Sequence, residues 1–508
     1  MFEAAELGRK ISKEDYEKAL PRLRKKLLEA QFALTSADFP VIIIIEGVDN
    51  VSKGEVINTL NEWLDTRGLS VHAFGAKSDE EAERPRFWRY WRTLPSKGRI
   101  AVMTGAWYSG SLIQGVFGQI DDTSFDRHMK RIHLLENTLA MNGALILKYW
   151  LHISKSEQTK RFKKLEKHPV QRWQVSKHDK KLLESYSQYK KFAERAIRLT
   201  DYAITPWQII EAENARYRHL TIAQHLLSSI SQRLKSGPVQ PLKALTQADI
   251  EPFLEAPDNV LTVLDGLDLS TDISKTTYQK ELVKLQQKLN QLSWKAYHQK
   301  RSVVVVFEGW DAAGKGGAIR RITQAVDARI SQVISIAAPT DEEKSHHYLW
   351  RFWRHIPRAG HVTIYDRSWY GRVLVERVEG FAKDFEWQRA YREINDFEEQ
   401  LCEHGILVVK FWLHIDPDEQ LRRFKEREHI PYKRHKITDE DWRNRDKWSA
   451  YEAAVNDMVI RTSTDYAPWN LVPANSKRYA RLCVLKTLCE QLEASLTPPE
   501  DRKKSSNS

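Results

Sequence analysis

The second half of this chain repeats the first, and this repeat limits the possible folds more than any other feature. Matching residues recur at a fixed offset of 262 positions. The matches include Tyr16 with Tyr278, Glu46 with Glu308, Lys53 with Lys315, Trp107 with Trp369, and Pro206 with Pro468. Chance similarity does not keep one offset without a net gap over most of a domain. The chain is therefore a tandem duplication of one domain of ordinary size.

Composition suggests the limits of the two copies. Residues 12–235 are predicted to form the N-terminal copy and residues 275–495 the C-terminal copy. Residues 236–274 contain Pro238, Pro241 and Pro252, followed by an acidic stretch, which predicts a linker with room for one short helix, because proline interrupts regular structure. The polar residues 496–508 predict a disordered tail.

Both copies have the same predicted order of elements. An amphipathic helix with regularly spaced leucines comes first. The apolar run at 303–307, like its counterpart at 41–45, predicts a strand buried on both faces, as in a parallel sheet. Further strands are predicted at 362–365 and 406–413, with helical patterns between them. The sequence thus predicts an α/β fold with a parallel sheet flanked by helices.

A phosphate-binding loop is predicted directly after the strand at 303–307. The sequence there fits G-x-x-x-x-G-K, a pattern in which backbone N–H groups and the start of a helix surround phosphate oxygens. Lys315 can reach the outer phosphates. The residues predicted to contact phosphate through this loop are Gly309, Ala312, Ala313, Gly314, Gly316 and Gly317.

The loop departs from the common pattern at one position. Gly316 stands where Ser or Thr usually supplies a hydroxyl to Mg²⁺. Asp311 is the natural replacement, since a carboxylate suits this hard cation. The alternative is that Asp311 only braces the loop through a hydrogen bond to the backbone.

A second group of polar residues follows the strand at 362–365. Asp366 is placed where P-loop enzymes carry the aspartate that organises Mg²⁺. Arg367 beside it is predicted to neutralise charge on the transferred phosphoryl group. A surface turn with a local Asp–Arg ion pair is the alternative interpretation.

Basic residues dominate the segment 422–436. Such a segment can close over a transferred phosphoryl group as a lid, hold a longer polyanion, or be a solvated face. The whole chain carries a net charge of +12 and has a pI near 9.3, which favours polyanionic partners without selecting one. The three cysteines, the absence of a signal-peptide pattern and the absence of a long apolar stretch predict a cytoplasmic protein without membrane contact.

Taken together, these motifs resemble the polyphosphate kinase 2 family. The resemblance rests on the loop at 308–316, on the signature Y-D-R-S-W-Y-x-R at 365–372 with V-E-R-V at 375–378, on the basic segment, and on a downstream P-W and K-R. It covers nearly all of the C-terminal copy. It implies a P-loop kinase fold like that of thymidylate kinases, with a parallel sheet and a helical lid, here duplicated in tandem.

The resemblance also implies an activity and its residues. The two-domain subgroup of this family moves the terminal phosphate of inorganic polyphosphate to AMP, giving ADP, with Mg²⁺. Asp311, Lys315, Asp366 and Arg367 would be catalytic, with Asp311 and Asp366 holding the metal. The nucleotide would be held by Arg372 and Glu376, and the polyphosphate by Arg423, Arg427, Lys433 and Lys436. Nucleic acid is not needed to explain the charge, and a homodimer is an open option.

The N-terminal copy lacks several of these residues. Asp366, Arg367 and Ser368 correspond to Thr104, Gly105 and Ala106, while Gly314, Arg372 and Glu376 correspond to Ser52, Gly110 and Gln114. Phosphoryl transfer depends on positioning and electrostatics. The N-terminal copy is therefore predicted to be inactive and to serve as a structural partner, although its basic segment at 160–181 leaves polyphosphate binding open.

Two other functions remain open at this stage. One is an ATP-dependent nucleoside monophosphate kinase, which shares the loop and lid but is disfavoured by Asp311 and Gly316. The other is a protein that binds polyphosphate or nucleic acid without turnover.

Overall fold

The first of two parallel sheets is built from the N-terminal copy. We describe residues 1–237, 262–429 and 439–497 of a computed structural model. The strands are β1 (Val41–Gly47), β2 (Leu69–Ala73), β3 (Ile100–Thr104), β4 (Leu145–His152) and β5 (Trp207–Glu211), in the order β2-β3-β1-β4-β5. All pairings are parallel. Every residue of β1 is buried, which accounts for its unbroken apolar run.

The C-terminal copy repeats this sheet. Its strands are β6 (Val303–Gly309), β7 (Ser331–Ser335), β8 (Val362–Asp366), β9 (Leu407–His414) and β10 (Trp469–Pro473), and their order is β10-β9-β6-β8-β7. These pairings are parallel as well. The three strands predicted from the sequence of this copy are confirmed as β6, β8 and β9, and so is the α/β fold in tandem.

Helices flank both sheets. In the N-terminal copy the α-helices are Lys13–Leu34, Asn50–Trp63, Asp79–Ala82, Trp88–Trp91, Ser109–Val116, Asp122–Met141, Lys155–Lys167, Lys177–Glu184, Tyr186–Thr200 and Ala215–Ser236. In the C-terminal copy they are Lys275–His298, Lys315–Thr323, Asp341–Lys344, Trp350–Trp353, Val375–Val378, Asp384–Glu403, Pro417–His429, Asp439–Asp446, Trp448–Thr462 and Lys477–Leu496. Short 3₁₀ helices lie at Phe2–Ala5, Thr66–Gly68, Arg172–Gln174 and Trp369–Arg372. Within the described ranges, no helix combines the length and apolar character that crossing a membrane requires.

The described residues group into two compact units. The first takes in the described parts of Met1–Ala76, Arg89–Lys243 and Asp341–His347, and the second those of Lys77–Trp88, Ala244–Thr340 and Tyr348–Ser508. The predicted domain limits stay a prediction. Residues 262–274 of the predicted linker contain no helix, and its remaining central part and residues 498–508 of the predicted tail lie outside the described residues.

Each copy contains a buried lysine–glutamate ion pair at the corresponding position of its sheet. Lys410 on β9 donates from Nζ to Glu398 Oε2 at 2.8 Å and to the Thr462 carbonyl at 2.7 Å. The other Glu398 oxygen accepts from Trp369 Nε1 at 3.0 Å and from Tyr370 OH at 2.7 Å. The N-terminal copy has the same network at the corresponding positions, Lys148, Glu136, Thr200, Trp107 and Tyr108. Because both members of each pair are fully buried, these contacts fix the chain that follows β3 and β8.

Strand order determines where a site can form. β6 lies between β8 and β9; the chain leaves β6 toward β7 on one side, whereas it leaves β8 toward β9 on the other. Such a point in a parallel sheet leaves a crevice that ligands occupy. The loop after β6 and the residues after β8 meet at this edge.

Candidate phosphoryl-transfer site

The loop between β6 and the helix Lys315–Thr323 requires an unusual backbone. Gly309 has φ of +149°, and a Cβ there would lie 2.6 Å from the Leu413 carbonyl oxygen, so only glycine fits against the neighbouring strand. Ala312 and Gly314 also have positive φ, 64° and 111°. Gly314 precedes the helix and provides no side-chain cap. The first N–H groups of this helix are therefore open to an anion in the crevice.

Arg423 stabilises the loop by hydrogen bonds to its backbone carbonyls. Its guanidinium donates to the carbonyls of Ala312 at 2.8 Å and Ala313 at 2.9 Å, and to those of Ala474 and Asn475 at 2.6 and 2.9 Å. Its Nε donates to Glu419 at 2.5 Å. The side chain is 2% exposed, and burial lowers its pKa against the opposing effect of Glu419. The donors of Arg423 are thus engaged by the phosphate loop, by the chain after β10 and by Glu419.

Lys315 lies along the inside of the loop. Its ammonium donates to the Gly309 carbonyl at 2.6 Å and to the Trp310 carbonyl at 3.2 Å. Since these are weak, replaceable partners for a full charge, a phosphate oxygen competes well for the same donor.

The carboxylate of Asp311 is held from two sides. Oδ1 accepts from Arg367 at 3.1 Å, and Oδ2 accepts from the Asn444 amide at 3.0 Å. The side chain is 15% exposed. Burial acts to raise the pKa of Asp311, but the charges of Lys315 and Arg367 and the hydrogen bonds outweigh it, so that the pKa is lowered. Asp311 is thus held as a carboxylate.

Asp366 and Arg367 come at the carboxyl end of β8, beside β6. Asp366 pairs with Phe307 in the sheet register, and the Arg367 amide donates to the Phe307 carbonyl at 3.0 Å. Arg367 has φ of 63°, a conformation that costs energy for a residue with a side chain and is concentrated at functional sites. The turn directs Arg367 to Asp311.

A buried carboxylate lies beneath this turn. Glu308 accepts a hydrogen bond from Ser368 Oγ at 2.8 Å and is 5% exposed. Burial raises the pKa of Glu308, although Ser368, Lys315 and Arg367 act against this. The contact joins the ends of β6 and β8.

One cleft brings most of the predicted residues together. Its volume is about 440 Å³. The predicted residues that line it are Asp311, Ala312, Ala313, Gly314, Lys315, Gly316, Gly317, Asp366, Arg367 and Arg427. Gly309 lines a smaller adjoining cavity of about 70 Å³. The predicted Lys433 and Lys436 lie outside the described residues.

Arg372 and Glu376 are not among the lining residues of the cleft or the cavity. They pair with each other at 3.0 Å, and Arg372 also lies over the Tyr348 ring at 4.6 Å. Burial raises the pKa of Glu376, against the effects of Arg372 and Arg351. Their neighbours Gly371 and Val375 do line the adjoining cavity.

Sequence reasoning missed several residues of the site. Asn444 and Asp441 line the cleft from the helix Asp439–Asp446. Trp448 stacks face to face on Trp310, with ring centroids 3.6 Å apart. Arg481 lies beside the phosphate-loop helix, because a Cβ on Gly317 would be 3.2 Å from its guanidinium. These residues come from distant parts of the chain, and no spacing in the sequence marks them.

The donor set fits a magnesium ion that is shared with substrate. Within the described part of the chain, no group of three His, Cys, Asp or Glu residues forms a closed metal site. Mg²⁺ commonly binds through one or two carboxylates and completes its shell with water and substrate phosphates. Asp311 and Asp366, which line one cleft, meet this requirement.

In the N-terminal copy, an aspartate of the corresponding loop occupies the position where an anion would bind. Asp49, the counterpart of Asp311, is fully buried and caps the helix Asn50–Trp63, accepting from the amides of Val51 at 3.2 Å and Ser52 at 3.3 Å. Ser52 Oγ donates to the same carboxylate at 2.5 Å, and Arg161 forms an ion pair with it. The anion position of this helix is therefore occupied from within the chain.

Known proteins resemble this chain over nearly its full length. Residues 10–238 and 272–499 each match the family model for polyphosphate kinase 2. A polyphosphate:AMP phosphotransferase from Pseudomonas aeruginosa is 50% identical over 496 residues, covering 97% of this chain and 99% of the relative. One from Acinetobacter johnsonii is 39% identical over 486 residues, covering 93% and 96%.

A solved structure agrees with these relatives. The crystal structure of a protein described as a polyphosphate kinase 2 from Pseudomonas aeruginosa PA01 has a TM-score of 0.86 and 47% identity, covering 97% of this chain and 99% of that one. The duplicated sheets, the phosphate loop and these similarities lead to one conclusion: the chain belongs to the polyphosphate kinase 2 family.

Proposed function

We propose that the C-terminal copy transfers the terminal phosphate of inorganic polyphosphate to AMP, giving ADP, with Mg²⁺ as the metal. One observation carries the proposal: Asp311, Lys315, Asp366 and Arg367 line a single cleft at the uncapped start of a helix. The names of the full-length relatives support the same substrates. The +12 charge suits a polyanionic donor.

In this proposal, each residue of the cleft has a separate role. The loop amides and Lys315 bind phosphate oxygens, with Lys315 exchanging the Gly309 carbonyl for phosphate. Arg367 neutralises charge on the phosphoryl group in transit. Asp311 and Asp366 would hold Mg²⁺, which supplies charge neutralisation and alignment of the phosphates when it is bound.

The other predicted residues take different parts in the proposal. Arg427 lines the cleft and, with Lys433 and Lys436, would bind the polyphosphate chain. Arg423 keeps the loop in shape instead, since its donors are engaged with carbonyls. Arg372 and Glu376 would hold the nucleotide.

We assign no turnover to the N-terminal copy. Its loop anion position is taken by Asp49, and the sequence provides Thr104 and Gly105 in place of Asp366 and Arg367. A structural role follows. We place the enzyme in the cytoplasm, without nucleic acid as a partner. Measurement of the molecular mass in solution would distinguish a monomer from a homodimer.

The test is the identity of the nucleotide product. Purified protein with Mg²⁺ and AMP should form ADP when polyphosphate is added, and not when ATP is added alone. The variant Asp366→Asn should lose ADP formation while keeping salt-sensitive binding to polyphosphate. ADP formation from AMP that requires ATP would favour a nucleoside monophosphate kinase, and binding without any product would favour a binding protein.

A further inference from the structure

Asn444 makes a contact that connects two parts of the site. It belongs to the helix Asp439–Asp446, and its Nδ2 donates to Asp311 Oδ2 at 3.0 Å. Its Oδ1 accepts from the Tyr451 hydroxyl at 3.0 Å. The Asp311 carboxylate only accepts hydrogen bonds, so the NH₂ group of the amide faces it, and Oδ1 is left on the other side to accept from the hydroxyl.

Asn444 and Arg367 together immobilise the carboxylate. The terminal torsion of an aspartate is broad, so one hydrogen bond leaves the carboxylate plane poorly defined. Arg367 holds Oδ1 at 3.1 Å while Asn444 holds Oδ2. Two donors on separate oxygens, from separate elements, fix the plane in advance of the reaction, and such preorganisation is a main source of catalysis.

The N-terminal copy joins the equivalent elements differently. Leu182 occupies the position of Asn444. The helix Lys177–Glu184 is tied to its loop by Asn50, whose amide donates to Asp179 at 2.6 Å. Asp49 takes no part in that tie. Both copies therefore link this helix to the loop, but only the C-terminal copy makes the link through the carboxylate of the site.

We infer that Asn444 is a positioning residue for phosphoryl transfer, acting by holding the Asp311 carboxylate in its working orientation. This inference rests on the proposed function. It explains why a neutral amide, and not another cation, faces Oδ2 of Asp311: the carboxylate keeps its charge for the metal and the phosphates while its orientation is fixed.

The first experiment compares Asn444→Leu with the full-length wild type. Leucine is close in size and is the residue that the N-terminal copy carries in the same helix, so folding is expected. We expect kcat for ADP formation to fall about 10- to 100-fold, as for the loss of one hydrogen bond to a charged group, with KM for AMP within about threefold. The matched control is Asn456→Leu, since the Asn456 amide donates to the Glu452 carbonyl of its own helix at 3.1 Å, its single hydrogen bond among the described residues.

The second measurement does not depend on turnover. Ligands that bind the folded state raise the melting temperature. The increase caused by Mg²⁺ together with polyphosphate should be smaller in Asn444→Leu than in wild type and in Asn456→Leu. Tyr451→Phe should show a weaker form of both effects, and adding it to Asn444→Leu should change little further, because the two residues act in one chain of contacts.

The outcomes separate this inference from the proposed function. If wild type makes no ADP from polyphosphate and AMP, the proposed function fails. If wild type is active but kcat of Asn444→Leu stays within twofold, the positioning role is wrong. It is also wrong if the variant merely melts earlier, with an unchanged response to Mg²⁺ and polyphosphate.

Discussion

The two phosphate loops of this chain come from one duplicated domain, but one is open to an anion and the other is closed. In the C-terminal copy, the helix after the loop begins at Lys315 behind an uncapped glycine. In the N-terminal copy, the helix begins at Asn50, with the Asp49 carboxylate on its first amides. One loop presents its N–H groups to an outside anion, and the other has satisfied them internally. Both loops carry this aspartate, so its orientation decides the state: Asp49 caps its own helix, a contact that stabilises a helix by about 1 kcal/mol, whereas Asp311 is held by Arg367 and Asn444.

A second difference lies one turn further along. Gly317 faces Arg481 in the C-terminal copy, whereas Glu55 at the corresponding position forms an ion pair with the buried Arg218. The N-terminal copy thus carries its own counterion, Glu55, where the C-terminal copy has a glycine.

A buried carboxylate is kept satisfied in both copies by different means. Glu308 accepts from Ser368. The N-terminal copy has Ala106 at that position, and Glu46 accepts from Ser109 at 2.8 Å instead. The N-terminal copy has thus kept or replaced the contacts that stabilise its sheet, and it has lost the contacts that serve only the ligand.

The largest expected difference concerns the two lysines. Lys315→Met should reduce ADP formation about 10³-fold or more, since it removes a charge that acts on the phosphates. Lys53→Met should leave the rate within twofold. Steady-state kinetics with polyphosphate and AMP measures both. A comparable loss in the two variants would mean that the N-terminal loop also contributes to ADP formation, which would contradict the assignment of that loop as closed.

The next largest effect is expected at Arg367. Arg367→Gly introduces the residue of the N-terminal copy, and glycine adopts the positive φ without strain, so the change removes only the side chain. We expect kcat to fall about 10²- to 10³-fold. Arg367→Lys should recover part of the rate, because it returns the charge without the forked geometry. No recovery, together with a lower melting temperature in both variants, would indicate a structural role.

A smaller effect should follow from moving the counterion. Gly317→Glu places the carboxylate of Glu55 next to Arg481, at a helix start that tolerates negative charge. We expect KM for polyphosphate to rise about tenfold, because the carboxylate pairs with Arg481 and repels phosphate. Gly317→Gln is the neutral control of equal size. Equal KM values for the two variants would assign the effect to bulk.

The smallest effect concerns stability and pH. His414 is 6% exposed, and burial lowers its pKa to about 4; its Nδ1 accepts from Trp310 Nε1 at 3.2 Å. An unfolded histidine has a pKa of about 6.5, so the unfolded chain binds more protons between these values and stability is lost as the pH falls from about 6.5 to 4. The loss is up to about 1.4 kcal/mol per pH unit.

Urea unfolding followed by tryptophan fluorescence tests this effect. Between pH 6.5 and pH 5, the fall in unfolding free energy of His414→Gln should be smaller than that of wild type by roughly 1.5 kcal/mol. An identical pH dependence would contradict the assignment. Burial also lowers the pKa of the N-terminal counterpart, His152, but the carboxylate of Glu6, 2.7 Å from its Nε2, acts against this shift. His152→Gln should therefore change the pH dependence less than His414→Gln does, and it serves as the comparison.

Much of the site was predictable because its residues are adjacent in sequence. Lys315 and Asp311 lie in one loop after a strand, and Asp366 and Arg367 follow another. Since parallel strands end at one edge, two local patterns sufficed to place the four residues in one cleft. Asn444 and Trp448 escaped prediction because they reach the loop from a helical region more than a hundred residues away.

The sequence by itself determined the duplication, the parallel sheets and the phosphate loop, because repeats, apolar runs and glycine patterns are local properties of the chain. It also indicated which copy keeps its charged residues. Only the tertiary structure decided that Asp49 caps its own helix, that Arg423 holds carbonyls from behind, and that Asn444 reaches Asp311. These depend on which side chains meet in space, and the same residue types, Asp and Arg, form a closed loop in one copy and an open site in the other.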